Sequence, residues 1–146
     1  MKKIIICDFN RTIYDPDKKT LIPEVYATLR ILKQKGFYLI LLSQIRKKSR
    51  EKIVRSLRLE NYFDEIILVP LKSEDDFKNL VTKDTDVNAS YSIGDYIEQD
   101  MVFGKRAGLK TIRIAAGAFA HVKPKTKEEE ADYEVKEFRE VLQKIC

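Results

Sequence analysis

The chain has 146 residues, of which 44% are apolar and 35% charged, with a net charge of +5 and two cysteines. That length suits one domain with a sizeable core, residues 1–146, and the cysteine count excludes a disulfide framework. No apolar run approaches a membrane span, and free thiols at Cys7 and Cys146 without a secretory leader lead us to expect a cytoplasmic protein with no membrane partner. The plainest source of the positive charge is a solvated lysine-rich surface, which would still favour encounter with phosphate.

Ile4-Ile5-Ile6-Cys7, closed by Asp8, reads as a short strand buried on both faces. A turn around Asp15-Pro16-Asp17 follows. Pro23 suits a helix start, Val25, Leu29 and Leu32 recur at helical spacing, and Gly36 closes that segment. Phe37 to Leu42 is a second strand, with Ser43 beyond it, and Arg46 to Leu59 a basic helix. Glu65 to Val69 is a third strand, Glu74 to Lys83 a helix, and Ser90 to Ile93 a fourth strand ending at Gly94-Asp95. Ile97 to Ala107 is helical up to Gly108, and Thr111 to Ile114 is a fifth strand. A loop to Asp132, a short edge strand at Tyr133 to Val135 and a last amphipathic helix, Phe138 to Ile145, complete the chain. This alternation predicts an α/β fold: a parallel sheet between two helical layers, strand order 3-2-1-4-5, with no insertion long enough for a second domain.

Asp8 and Asp95 then fall at the carboxyl ends of the first and fourth strands, where open α/β sheets bind ligands. If those strands are neighbours, the two acids repel unless a cation sits between them, and an oxygen-only donor set favours Mg²⁺. The stretches Asp8-Phe9-Asn10-Arg11-Thr12, Leu41-Leu42-Ser43, Lys72-Ser73-Glu74 and Gly94-Asp95 with Asp100, in this order, resemble the haloacid dehalogenase superfamily of phosphohydrolases. The resemblance covers about the first 115 residues and implies a Rossmann-like domain, here without the cap domain of many relatives. It implies Asp8 as a nucleophile that forms an aspartyl-phosphate, with Mg²⁺ held by Asp8, the backbone carbonyl of Asn10 and Asp95. Asp100 is then a further acid around the metal or an orienting partner, Ser43 and Lys72 bind phosphoryl oxygens, and Thr12 orients the loop.

One position departs from the family pattern. The family's phosphatases carry a general acid–base aspartate two residues after the nucleophile, and here that residue is Asn10. An amide cannot exchange a proton at neutral pH, and losing a general acid–base typically costs about 10²–10⁴-fold in rate. The expected activity is therefore a phosphohydrolase or phosphotransferase best suited to activated phosphates. The alternative is an impaired binding or regulatory module of the same fold. The expected partner is a phosphorylated small molecule or macromolecule.

Each residue also has a plainer reading: Asp95 and Ser43 as helix caps, Lys72 as a solvated lysine, residues 46–58 as a solvated helix face. Nucleic-acid binding by that helix is disfavoured by its lack of interleaved aromatics. His121 reads as a plain loop residue, and Cys7 as core packing.

Overall fold

The computed structural model describes residues 1–145; Cys146 and the reading of its thiol lie outside them. Strand β1 spans Lys3–Cys7, and its run of β-branched residues is buried on both sides. A two-stranded hairpin, β2 (Tyr14–Asp15) and β3 (Thr20–Leu21), follows; Asp15 Oδ1 accepts the N–H groups of Asp17 and Lys18 and so fixes the turn. Helix α1 (Val25–Gln34) buries Val25, Thr28, Leu29 and Leu32, the stripe that a 3.6-residue period puts on one face. Strand β4 (Phe37–Gln44), helix α2 (Lys48–Ser56), strand β5 (Glu65–Val69) and helix α3 (Glu74–Leu80) come next. Strand β6 (Tyr91–Gly94), helix α4 (Val102–Arg106), strand β7 (Lys110–Ile114) and strand β8 (Tyr133–Val135) close the fold.

Six strands form one parallel sheet in the order β5-β4-β1-β6-β7-β8. The predicted order is thereby met, with β8 added at the edge. Alternate residues feed two cores. Ile5, Cys7, Leu39 and Leu41 pack with Leu29, Leu32 and Val54 of α1 and α2, while Ile4, Ile6, Ile40 and Leu42 pack with Phe77 of α3 and Phe103 of α4. Cys7 lies fully within the first core.

Several boundaries differ from the sequence-based expectation. Strand β4 runs through Ser43, because Ile45 N–H still donates to Val69 O at 2.8 Å and keeps the chain extended. Ser43 is thus a strand residue, and the extended residue Lys47, not Ser43, precedes α2. Pro23 lies outside α1, with Glu24 in the left-handed region between them. The segment 97–101 winds as a wide π turn before α4, and Phe138–Gln143 is a tight 3₁₀ turn where an α-helix was expected.

Gly104 sets the distance between α4 and the sheet. A Cβ there would lie 2.6 Å from Ser92 Cβ and 3.3 Å from Thr111 Cγ2, both on buried strands. Gly104→Ala is therefore expected to lower stability by about 1–3 kcal/mol, measured as a lower urea midpoint; an unchanged midpoint would refute this packing.

Candidate active site

Asp8 is the first residue past β1, and its N–H donates to Ile93 O at 3.0 Å, tying it to β6. Asp95 is the first residue past β6. Parallel pairing of these two strands places both acids side by side at the carboxyl edge of the sheet. Asp100 joins them from the π turn: its Oδ2 accepts Tyr96 N–H at 3.2 Å and its backbone oxygen accepts Ser92 Oγ–H at 2.8 Å. Gly94 is required for this, because a Cβ there would lie 2.1 Å from Asp100 Oδ2. One oxygen from each of Asp8, Asp95 and Asp100 lies within 4.8 Å of the others.

Lys72 sits between β5 and α3, with its N–H on Gln44 Oε1 at 3.0 Å. Its ammonium donates to Asp8 Oδ1 and Asp100 Oδ1, each at 2.9 Å, and its side chain is only 3% exposed. The following residue, Ser73, caps α3 in a reciprocal box with Asp76, which holds the strand-to-helix turn rigid. Arg11 Nε donates to Asp95 Oδ2 at 2.6 Å.

Three carboxylates, Asp8 half-buried and Asp95 and Asp100 buried, against two cations leave the centre short of positive charge. Burial raises the Asp8 carboxyl, but the Lys72 ammonium together with hydrogen bonds from Asp95 and the Phe9 backbone outweighs it, and the net direction is down. Burial, together with the Asp8 charge, pushes Asp95 up to about 8, although the Arg11 bond pulls the other way. Burial raises Asp100 to about 6 against the pull of Lys72. Lys72 itself is raised: burial opposes its charge, and Asp100 and Asp8 more than compensate. The buried oxygens Asp95 Oδ1 and Asn10 Oδ1 have no hydrogen-bond partner. Clustered carboxylate oxygens, with Asp95 Oδ1 unpartnered and no soft donor among them, fit a divalent cation of the Mg²⁺ type.

Asp8, Asn10, Ser43, Lys72 and Asp95 line one cleft of about 450 Å³. Asp100 stands behind Lys72 and orients its ammonium. Thr12 is fully buried and its hydroxyl makes no hydrogen bond; its backbone N–H donates to Phe9 O at 3.3 Å, so the main chain supplies the loop contact. A larger depression of about 720 Å³ between α2 and the β5 edge holds no such cluster, its acids Glu51, Glu60 and Asp64 lying on the surface among Val54, Phe63 and Ile66.

The comparisons with known proteins point the same way. The family model described as HAD-hydrolase-like matches residues 71–141. Over 130 residues the chain is 28% identical to the glyceraldehyde 3-phosphate phosphatase of Methanopyrus kandleri, covering 82% of this chain and 54% of that protein. The chain thus spans about half the length of the curated relative it matches. A haloacid dehalogenase-like family protein from Streptococcus pneumoniae superposes with a TM-score of 0.71 at 13% identity, over 98% of both chains. YfnB of Bacillus subtilis, solved bound to magnesium, superposes with a TM-score of 0.69 at 20% identity, over 86% of this chain and 56% of that one.

Residues 71–141 thus match a HAD-hydrolase-like family model, and the fold is the one seen in haloacid dehalogenase-like proteins. The cleft also contains residues that sequence reasoning did not single out: Arg11, Gln44, Arg46, Tyr96 and Phe119. Arg11 lay in view between Asn10 and Thr12. Arg46 was counted with the basic helix, but it precedes α2 and its Nε donates to Pro70 O at 3.4 Å. Phe119 comes from the loop after β7, which carries no local signal of where it folds. His121, from the same loop, is exposed and lies off the cleft wall. No helix among the described residues is long and apolar enough to cross a membrane.

The raised carboxyls fix the sign of a pH effect. A group whose folded pKa lies above its unfolded value stabilises the fold at low pH and loses that contribution as pH rises through the folded value. For Asp100 and Asp95 the loss falls between about pH 4 and the values of about 6 and about 8. In chelator, the unfolding temperature is expected to fall from pH 5 to pH 9 and to fall less steeply in Asp95→Asn; equal slopes would refute the placement of that proton.

Proposed function

We propose that this domain is a phosphohydrolase in which Asp8 attacks the phosphoryl group. The observation that carries the reading is the ion pair between Lys72 and Asp8, which keeps a 13% exposed carboxylate charged at the floor of an open cleft. The relative from Methanopyrus, named as a phosphatase, supports the same reaction class.

Asp8 Oδ1 is engaged by Lys72, so Oδ2 is the oxygen we assign to attack on phosphorus. The phosphorus–leaving oxygen bond breaks as the aspartyl-phosphate forms. Water then adds at phosphorus, the bond to Asp8 breaks, and the water's proton leaves with the released phosphate. Ser43, a strand residue on the cleft wall, would donate to a phosphoryl oxygen, and Lys72 would hold positive charge beside it. Asp8, Asp95 and the Asn10 main-chain carbonyl would hold Mg²⁺, with Asp100 steering Lys72. Bound there, the ion would neutralise charge on the transferring phosphoryl group.

Asn10 cannot protonate a leaving oxygen, which favours activated phosphates over alkyl monoesters. The same residue is what favours the rival reading, a binding module with an idle site. Turnover of p-nitrophenyl phosphate that needs Mg²⁺ and is lost in Asp8→Asn is the expected result, and no turnover in the parent protein would favour the rival. Asn10→Asp is expected to raise hydrolysis of an alkyl monoester such as glycerol 3-phosphate by about 10²–10⁴-fold. No rise in kcat for that ester would refute the account of Asn10.

A further inference from the structure

Arg11 is held in an unusual way for a surface-loop arginine. Its backbone is left-handed, at φ 62. Its Nε is on Asp95 Oδ2 at 2.6 Å, and its guanidinium carbon lies 4.6 Å from the centre of the Phe119 ring. Phe119 in turn packs on Tyr96 at 5.3 Å. Gly117 makes room for the side chain, since a Cβ there would lie 2.8 Å from Arg11 Cδ. Anchored along one edge and backed by an aromatic ring, the guanidinium is pre-organised. It lines the same cleft as Asp8, is 21% exposed, and its two terminal nitrogens make no hydrogen bond among the described residues. Those two N–H₂ groups form a planar fork that matches a carboxylate or phosphate with two parallel hydrogen bonds.

We infer that Arg11 receives the leaving group, and that the site is built for phosphorylated compounds whose leaving group departs as a two-oxygen anion. Acyl phosphates, which release a carboxylate, and phosphoanhydrides, which release a phosphate, share that chemistry. This inference rests on the reading of Asp8 as nucleophile and narrows its substrate class. The residue after Asn10 supplies what Asn10 cannot. When Asp8 bonds to phosphorus, the breaking bond leaves its electron pair on the departing oxygen, and an anion is released with no proton required. Arg11 stays protonated throughout and stabilises that developing charge without acting as an acid. Lys72 is tied to Asp8 and Asp100 and Arg46 to Pro70 O, whereas the fork of Arg11, on the same loop as Asp8, keeps both terminal nitrogens unbonded among the described residues.

The test compares acetyl phosphate, pyrophosphate and p-nitrophenyl phosphate, with Mg²⁺ present, in the parent protein and in Arg11→Gly. Glycine suits the left-handed backbone at this position. Loss of the fork is expected to lower kcat/KM by about 10²-fold for the substrate with the matching leaving anion. The phenolate substrate, which offers one oxygen and delocalises its own charge, should lose markedly less, and added guanidinium ion should restore the difference. Selective loss with acetyl phosphate assigns a carboxylate leaving group, and selective loss with pyrophosphate assigns a phosphate. An equal loss on all three substrates would overturn the inference while leaving the phosphohydrolase reading intact; no turnover of any of them by the parent would instead remove that reading. Gly117→Ala, which displaces Arg11 without removing it, should shift the same ratio in the same direction. A readout without turnover is calorimetric binding of methylenediphosphonate to the Mg²⁺-loaded protein. It is expected to weaken in Arg11→Gly if the phosphate assignment holds, and unchanged binding together with an unchanged substrate ratio overturns the inference.

Discussion

The ammonium of Lys72, wedged between Asp8 and Asp100 at 2.9 Å from each, is the contact on which the rest of this site depends. Three carboxylates cannot share so small a volume in a protein interior without compensating charge. Lys72 neutralises one side of the cluster and Arg11 the other, and the surrounding fold is arranged to deliver them. The Ser73–Asp76 cap stiffens the turn that carries Lys72, and the π turn brings Asp100 back against Gly94. Burying such a cluster costs stability that apolar packing at the same positions would not. The arrangement is therefore best explained by chemistry carried out at the mouth of the cleft.

The division of labour between Asn10 and Arg11 gives the site its character. A carboxylic acid two residues beyond Asp8, the proposed nucleophile, would let the site break bonds to poor leaving groups by donating a proton. On the reading proposed above, an amide there, beside a permanently charged guanidinium, would exchange proton transfer for charge stabilisation. The aromatic backing from Phe119 and the space left by Gly117 hold that guanidinium in one geometry. Electrostatic help of this kind is effective only when the group is already in place before the bond breaks.

The pattern of short apolar strands alternating with amphipathic segments determined the layer architecture, because strands buried on both faces leave continuous apolar runs that few other folds accommodate. The family resemblance then predicted that Asp8, Ser43, Lys72 and Asp95 would meet, and parallel pairing of β1 with β6 and of β4 with both β1 and β5 brings them to one edge. Residues at strand ends are legible in this way because strand register converts a place in the chain into a place in space. Boundaries were less legible where tertiary hydrogen bonds overrode local preference, as where Ile45 N–H on Val69 O extends β4 through Ser43.

Thus the linear chain by itself determined the strands and placed Asp8 and Asp95 at their carboxyl ends, and its family resemblance added the lysine and the further acid. Only the tertiary structure decided what surrounds them. The pairing of Arg11 with Asp95, the seating of that guanidinium on Phe119, and the place of Asp100 behind Lys72 join residues from separate loops and turns. No local periodicity encodes such meetings. They follow from how the loop after β7 folds back over the sheet edge and from the space that glycines leave for it.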